Sequence, residues 1–327
     1  MSMRIRPVLA LLLLAPFIGE FLLGDFTLRQ LWIYPIMLPI YGGGAVLIRE
    51  AARRSGRGWP TIFLLGLAYG IVEEVLADQS LFNPHFLGLR LIEYGYIPAL
   101  GISAPWTTYV LAIHVVWSIG VPIALVEALV PERRRDPWVG RKGLAAAGLL
   151  YALGVAVVVA GTAKREHFMA SRAQLASGAF AAAAVAALAF ALFRPAGGSS
   201  GPAPAAGPAG PRLPLWLGSL AFAFGSALLL MTGMTAALPP AAVEVGELAA
   251  LAIPMAVLAY VRRSPGWSDA CADAAAVGAL LAYCWWGFVV TTSLHGRAGI
   301  PGQCLFVAAV VVPLAAIIVR REIRKDA

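Results

Sequence analysis

Ten apolar runs, each near twenty residues long, constrain this chain more strongly than anything else in its sequence. They cover roughly 7–24, 31–50, 60–80, 106–130, 143–162, 173–193, 214–236, 240–261, 271–292 and 302–319. A helix needs about 20 mostly apolar residues to cross the hydrocarbon of a bilayer. Within that layer only helices and closed barrels satisfy their own backbone groups. The runs therefore predict an all-α, polytopic transmembrane bundle of about ten spans. Runs seven and eight are parted only by Leu238, Pro239 and Pro240, so the count of ten hinges on that turn. The composition agrees: 13% of residues are charged and mean hydropathy is +0.79, whereas a soluble domain carries roughly 25% charged residues.

The distribution of charge sets the orientation. A net charge of +8 suits nucleic acid as a partner on its face. However, the charges fall in short clusters between apolar runs, as loop charges do, so the expected partner is membrane lipid and no nucleic acid. With the N-terminus in the cytoplasm, Arg29, Arg90, Lys164, Arg165, Arg172 and Arg297 lie in outer segments, and the remaining nineteen of the 25 Lys and Arg residues lie in inner ones. This bias predicts both termini cytoplasmic in a multi-pass plasma-membrane protein. High Ala, Gly and Arg usage points to a bacterial membrane. The first run resembles a signal peptide, but it contains Glu20 and ends without a small-x-small cleavage site, so it is read as a retained helix. The three cysteines form no CxxC pair and suggest neither a disulfide framework nor a zinc ribbon.

The Gly/Pro/Ala-rich stretch at 195–213 reads as a flexible cytoplasmic linker. It divides the chain into a six-helix part, 1–194, which carries most of the polar residues, and a four-helix part, 214–327. The outer loop at 81–105 is long for a connection, which favours a functional or partly re-entrant role.

Polar residues inside the runs carry the functional signal. The stretch LAYGIVEEVLADQSLFNPH (67–85) places Glu73, Glu74 and Asp78 in the outer third of the third span, with Asn83 and His85 just beyond. Each carboxylate near a span centre costs about 2.5–3.5 kcal/mol, and ionisable groups there mark functional sites by default. Gly66, Gly70, Glu74 and Asp78 recur every fourth residue, so they share one helical stripe. The two glycines allow a second helix to approach closely, and Glu74 and Asp78 then face one crevice. Glu73 sits about 100° round the helix, where it either reaches the crevice from its edge or bonds a neighbouring helix. In the fourth span His114 and Ser118 share a face at a similar depth, and Glu20 of the first span, four residues after Pro16, lies at the same level. These residues form the expected site: Glu73, Glu74, Asp78 and His114 for chemistry, with Glu20, Asn83, His85 and Ser118 lining its cavity. Glu244 and Glu247 lie near the water boundary and are given less weight. The YGGG at 41–44 reads either as a broken helix lining a cavity or as a close helix contact. The PERRRDPWVGRK at 131–142 reads as an inner loop with an interfacial Trp138.

Paired glutamates in one span, with a histidine some forty residues later in the next, resemble the CAAX-protease and bacteriocin-processing (CPBP) family of intramembrane proteases. That family has EExxxR, FxxxH and a histidine followed four residues later by Asn or Asp. Here Glu73 and Glu74 match the acids, and Asp78 stands at the arginine position. His114 matches the histidine, with Val110 at the phenylalanine position, and the nearest third motif is His167 with Ser171. The resemblance covers about residues 60–130. It implies a glutamate that activates water for attack on a peptide bond, with His114 polarising that bond or stabilising the oxyanion.

Three functions follow as alternatives. The first is a divergent intramembrane hydrolase acting on a lipid-linked or membrane-embedded substrate. It would either be metal-free or use a divalent metal held by Glu74, Asp78 and His114, with one position left open for water. The second is a proton- or ion-coupled transporter. The third is a non-catalytic membrane component whose polar groups bond helices together.

Overall fold

The computed structural model describes residues 5–193, 212–264 and 266–326. The linker expected at 195–213 lies outside the described residues up to position 211. Ten helices are long and apolar enough to cross a membrane. They are α1 (Ile5–Leu22), α2 (Leu28–Arg54), α3 (Trp59–Ala77), α4 (Ala104–Leu129), α5 (Arg141–Glu166), α6 (Arg172–Ala191), α7 (Arg212–Gly233), α8 (Pro240–Val261), α9 (Asp269–His295) and α10 (Arg297–Ile317). The turn at Leu238–Pro240 does separate α7 from α8, as the ten-span reading requires.

Helix α4 is the centre of the bundle, with 78% of its apolar window buried, while α5 on the rim has only 11% buried. Trp117 of α4 stacks on Tyr283 of α9 at 4.7 Å, and its Nε1 donates to the Ala279 carbonyl at 2.7 Å. A second cluster packs α1, α2 and α3 around Tyr41 and Tyr69. The outer loop after α3 folds as turns and a hairpin of β1 (Tyr96–Ile97) against β2 (Ile102–Ser103). Tyr94 pins it to the α7–α8 turn by donating to the Leu238 carbonyl at 2.6 Å.

Among the described residues four spans each contain one π turn, and α2 and α10 also open on 3₁₀ turns, Leu28–Ile33 and Arg297–Gly299. Single π turns occupy Phe17–Leu22, Leu38–Gly42, Val72–Ala77 and His114–Gly120. Such turns are rare and concentrate at functional sites. The YGGG stretch serves both expected roles: Tyr41 and Gly42 close the π turn of α2, and a Cβ on Gly42 would run into the Leu12 carbonyl of α1.

At the inner ends of α2 and α4 the charges form a closed network. Arg49, fully buried, pairs with Glu50 at 2.5 Å and Glu127 at 3.0 Å and donates to the Arg134 carbonyl at 2.9 Å. Arg53 completes Glu127 at 2.7 Å. Glu50 accepts the Trp138 backbone N–H at 2.9 Å, and the Arg49 guanidinium lies 3.4 Å from the Trp138 ring centroid. Trp138 is therefore buried under an arginine rather than interfacial, because this cation–π contact and the amide bond hold its loop against α2.

Candidate functional site

All four π turns contribute to one cluster in the outer half of the bundle. The turn of α1 carries Glu20, that of α2 Tyr41, that of α3 Glu73 and Glu74, and that of α4 His114 and Ser118. Helices α3 and α4 come together along the predicted glycine stripe. A Cβ on Gly70 would stand 3.1 Å from the His114 Cβ, so glycine there is what allows His114 to reach the acids.

His114 is the hub. Its Nδ1 lies 2.7 Å from the Val110 carbonyl, which can only accept, so Nδ1 carries a proton. Its Nε2 then faces Glu73 Oε2 at 2.9 Å and Glu74 Oε1 at 3.5 Å. The Tyr41 hydroxyl is 3.5 Å from the same nitrogen and donates to Glu20. Ser80 donates to the other oxygen of Glu74. The imidazole contacts the rings of both Tyr41 and Tyr69, at centroid distances of 6.2 and 5.9 Å, and the two tyrosine rings also meet each other at 6.0 Å. Ser118 lines the same wall, since a Cβ on Gly19 would meet its hydroxyl at 3.1 Å. Glu73, His114 and Glu74 are only 3%, 4% and 5% exposed, so bulk water does not reach them in this state. Among the described residues no Arg or Lys forms an ion pair with Glu20, Glu73 or Glu74.

This geometry changes several expectations. Glu73 is the carboxylate nearest His114, so of its two expected placements it takes the contact with a neighbouring helix, α4. The π turn Val72–Ala77 widens the helix there and swings both glutamates of the pair towards α4. Asp78, one residue beyond that turn, accepts from Thr162 of α5 at 2.8 Å. Among the described residues no group of three His, Cys, Asp or Glu is placed to hold a metal ion. Asn83 is buried but belongs to the loop, where it contacts Glu166 at 3.4 Å and accepts the His85 N–H at 3.0 Å. His85 is exposed and outside the cluster, and so is His167, at the left-handed C-cap of α5. Sequence reasoning missed Tyr41, Tyr69 and Ser80. The signal for Tyr41 was its place between Pro39 and the glycine run.

A family model described as an uncharacterized membrane protein family matches residues 9–325. No curated protein and no solved structure matches the chain. The CPBP resemblance accordingly rests on Glu73, Glu74 and His114 alone. With a match spanning nearly its whole length, and with ten membrane-length helices, this chain belongs to that uncharacterized family of multi-pass membrane proteins.

Proposed function

We propose that the cluster is the acid–base centre of an intramembrane hydrolase acting on a lipid-linked or membrane-embedded substrate. The observation that carries this reading is the double approach of Glu73 and Glu74 to one imidazole nitrogen whose ring is fixed from behind by the Val110 carbonyl. In this reading Glu73 orients His114, as the acid of a catalytic triad orients its histidine, and Glu74 is the general base. Glu74 takes a proton from water, and the water oxygen bonds to the electrophilic carbon. The scissile bond breaks, and the proton held between Nε2 and Glu73 passes to the leaving group. Tyr41, whose hydroxyl proton goes to Glu20, stands beside Nε2 and holds Glu20 at the edge of the centre.

The test works without an identified substrate. Purified protein in nanodiscs is incubated with a total membrane extract in H₂¹⁸O, and products are examined for ¹⁸O by mass spectrometry. The wild type is expected to label a discrete product set, and Glu74→Gln to slow labelling by about 10²–10⁴-fold, the usual contribution of a general base. Labelling no greater than in enzyme-free controls would sink the hydrolase.

A second reading, a proton-coupled transporter, is favoured by one observation. Glu20, Tyr41, His114 and Glu73 form a continuous polar chain across four interrupted helices. Proton uptake into proteoliposomes that depends on both His114 and an added solute would select it.

A further inference from the structure

A separate acidic site lies where α8 packs on α4 and α7. The buried positions of α8 are Val243, Glu247 and Ala250, spaced by four and three, so they form the seam that faces protein. Glu244, three residues before Glu247, shares that side. Glu244 Oε1 accepts from the Thr108 hydroxyl of α4 at 2.9 Å. Its Oε2 is buried without a hydrogen-bond partner, and so are both oxygens of Glu247, whose side chain is 0% exposed. On α7 the Met231 sulfur would stand 2.6 Å from a Cβ on Gly246, which brings the outer end of α7 against the stretch between the two glutamates. The adjacent Thr232 hydroxyl is also buried without a partner.

Three carboxylate oxygens thus sit in an apolar seam with no donor aimed at them. Among the described residues no Lys, Arg or His forms an ion pair with either glutamate, and the titratable groups within reach are Tyr109 of α4 and Tyr94 of the outer loop. Buried polar atoms in native proteins are almost always satisfied, and exceptions point to a bound water, ion or functional role. The available atoms are all oxygens, which favour a hard cation. They are too few for the six to eight ligands of calcium. We propose that Glu244, Glu247 and Thr108 form a binding site for a small monovalent cation, a proton or Na⁺, taken from the outer side. The site stands independently of the hydrolase reading.

The test is thermal unfolding of the full chain in nanodiscs, in NaCl against choline chloride at equal ionic strength, between pH 5.5 and 8.5. Equilibrium binding of ²²Na⁺ is measured in parallel. If the ion is Na⁺, the wild type gains several degrees in Tm at pH 8 and binds about one ²²Na⁺ per chain, and Glu247→Gln loses both. If the ion is a proton, acidification raises the wild-type Tm by more than it raises that of Glu247→Gln, which keeps only the part supplied by other groups such as Asp25, and Na⁺ has no effect. Glu244→Gln and Thr108→Val, which leave Glu247 in place, give a weaker form of the same loss should Glu247→Gln fail to fold. A wild type whose response to Na⁺ and acid matches that of all three variants overturns the proposal.

Discussion

The inner and outer ends of the same helices treat charge in opposite ways. At the inner end Arg49 and Arg53 meet Glu50 and Glu127, and backbone groups take up the remaining donors and acceptors. The backbone of α2 is regular there, from Gly43 to Arg54. At the outer end Glu20, Glu73 and Glu74 share one histidine, no arginine, and four π turns. A network that cancels its own charge is a fastener, and breaking it harms the fold. A cluster that leaves acids short of cations, on backbone that departs from its lowest-energy form, is held by the fold for something else. If this contrast is correct, substitutions at the two ends will damage different properties.

The largest effect is expected at the outer end. Glu74→Gln and His114→Asn should each lower turnover by about 10²–10⁴-fold, read as ¹⁸O incorporation, with near-normal thermal unfolding. Loss of folding in both variants would make the outer cluster a fastener too and erase the contrast. At the inner end the expectation reverses. Glu127→Ala leaves Arg49 buried with half its ion pairing gone, and removing one partner of a buried pair costs about 3–5 kcal/mol. A matching fall in stability by reversible denaturant titration, with unchanged turnover per folded molecule, is the predicted result.

Asp25, between α1 and α2, sharpens the comparison through pH. Burial pushes its carboxyl up to about 7, against the opposing pull of His114. An unfolded aspartate titrates at about 3.9. The folded state therefore holds a proton that the unfolded state releases between those values, and stability falls as pH rises through this window. The slope is at most ~1.4 kcal/mol per pH unit for one group. Unfolding measured from pH 5 to pH 7.5 should show the decline in the wild type and a flatter profile in Asp25→Asn. Equal slopes would mean that Asp25 is not the group responsible.

The difference between the two ends also explains what the sequence disclosed. Hydropathy and the arginine bias were enough for the ten spans, because the bilayer permits so few alternatives. Glu73, Glu74 and His114 were legible for the same reason: a charge inside a span demands an explanation. Tyr41 was not, since a neutral tyrosine in mid-span carries no charge that demands a partner. The inner network was hidden because Glu127 lies 78 positions from Arg49 and arginines at inner span ends satisfy the positive-inside rule without any partner. The π turns left no pattern at all, so strict fourfold spacing could not choose between the two placements of Glu73.

The smallest expected effect concerns Asp78. Asp78 is four residues from Glu74, yet its hydroxyl partner is Thr162 of α5, a rim helix. If Asp78 is a fastener between α3 and α5, Thr162→Val should cost about 1.5–3 kcal/mol of stability, the scale of one hydrogen bond to a charged group, and leave turnover within a few-fold. If Asp78 instead belongs to the acid–base centre, freeing it from Thr162 should shift the pH profile of turnover while stability barely moves. The two outcomes separate cleanly, because Thr162 touches Asp78 without being part of the Glu73–Glu74–His114 contact, so any change in the pH profile would have to pass through Asp78 itself.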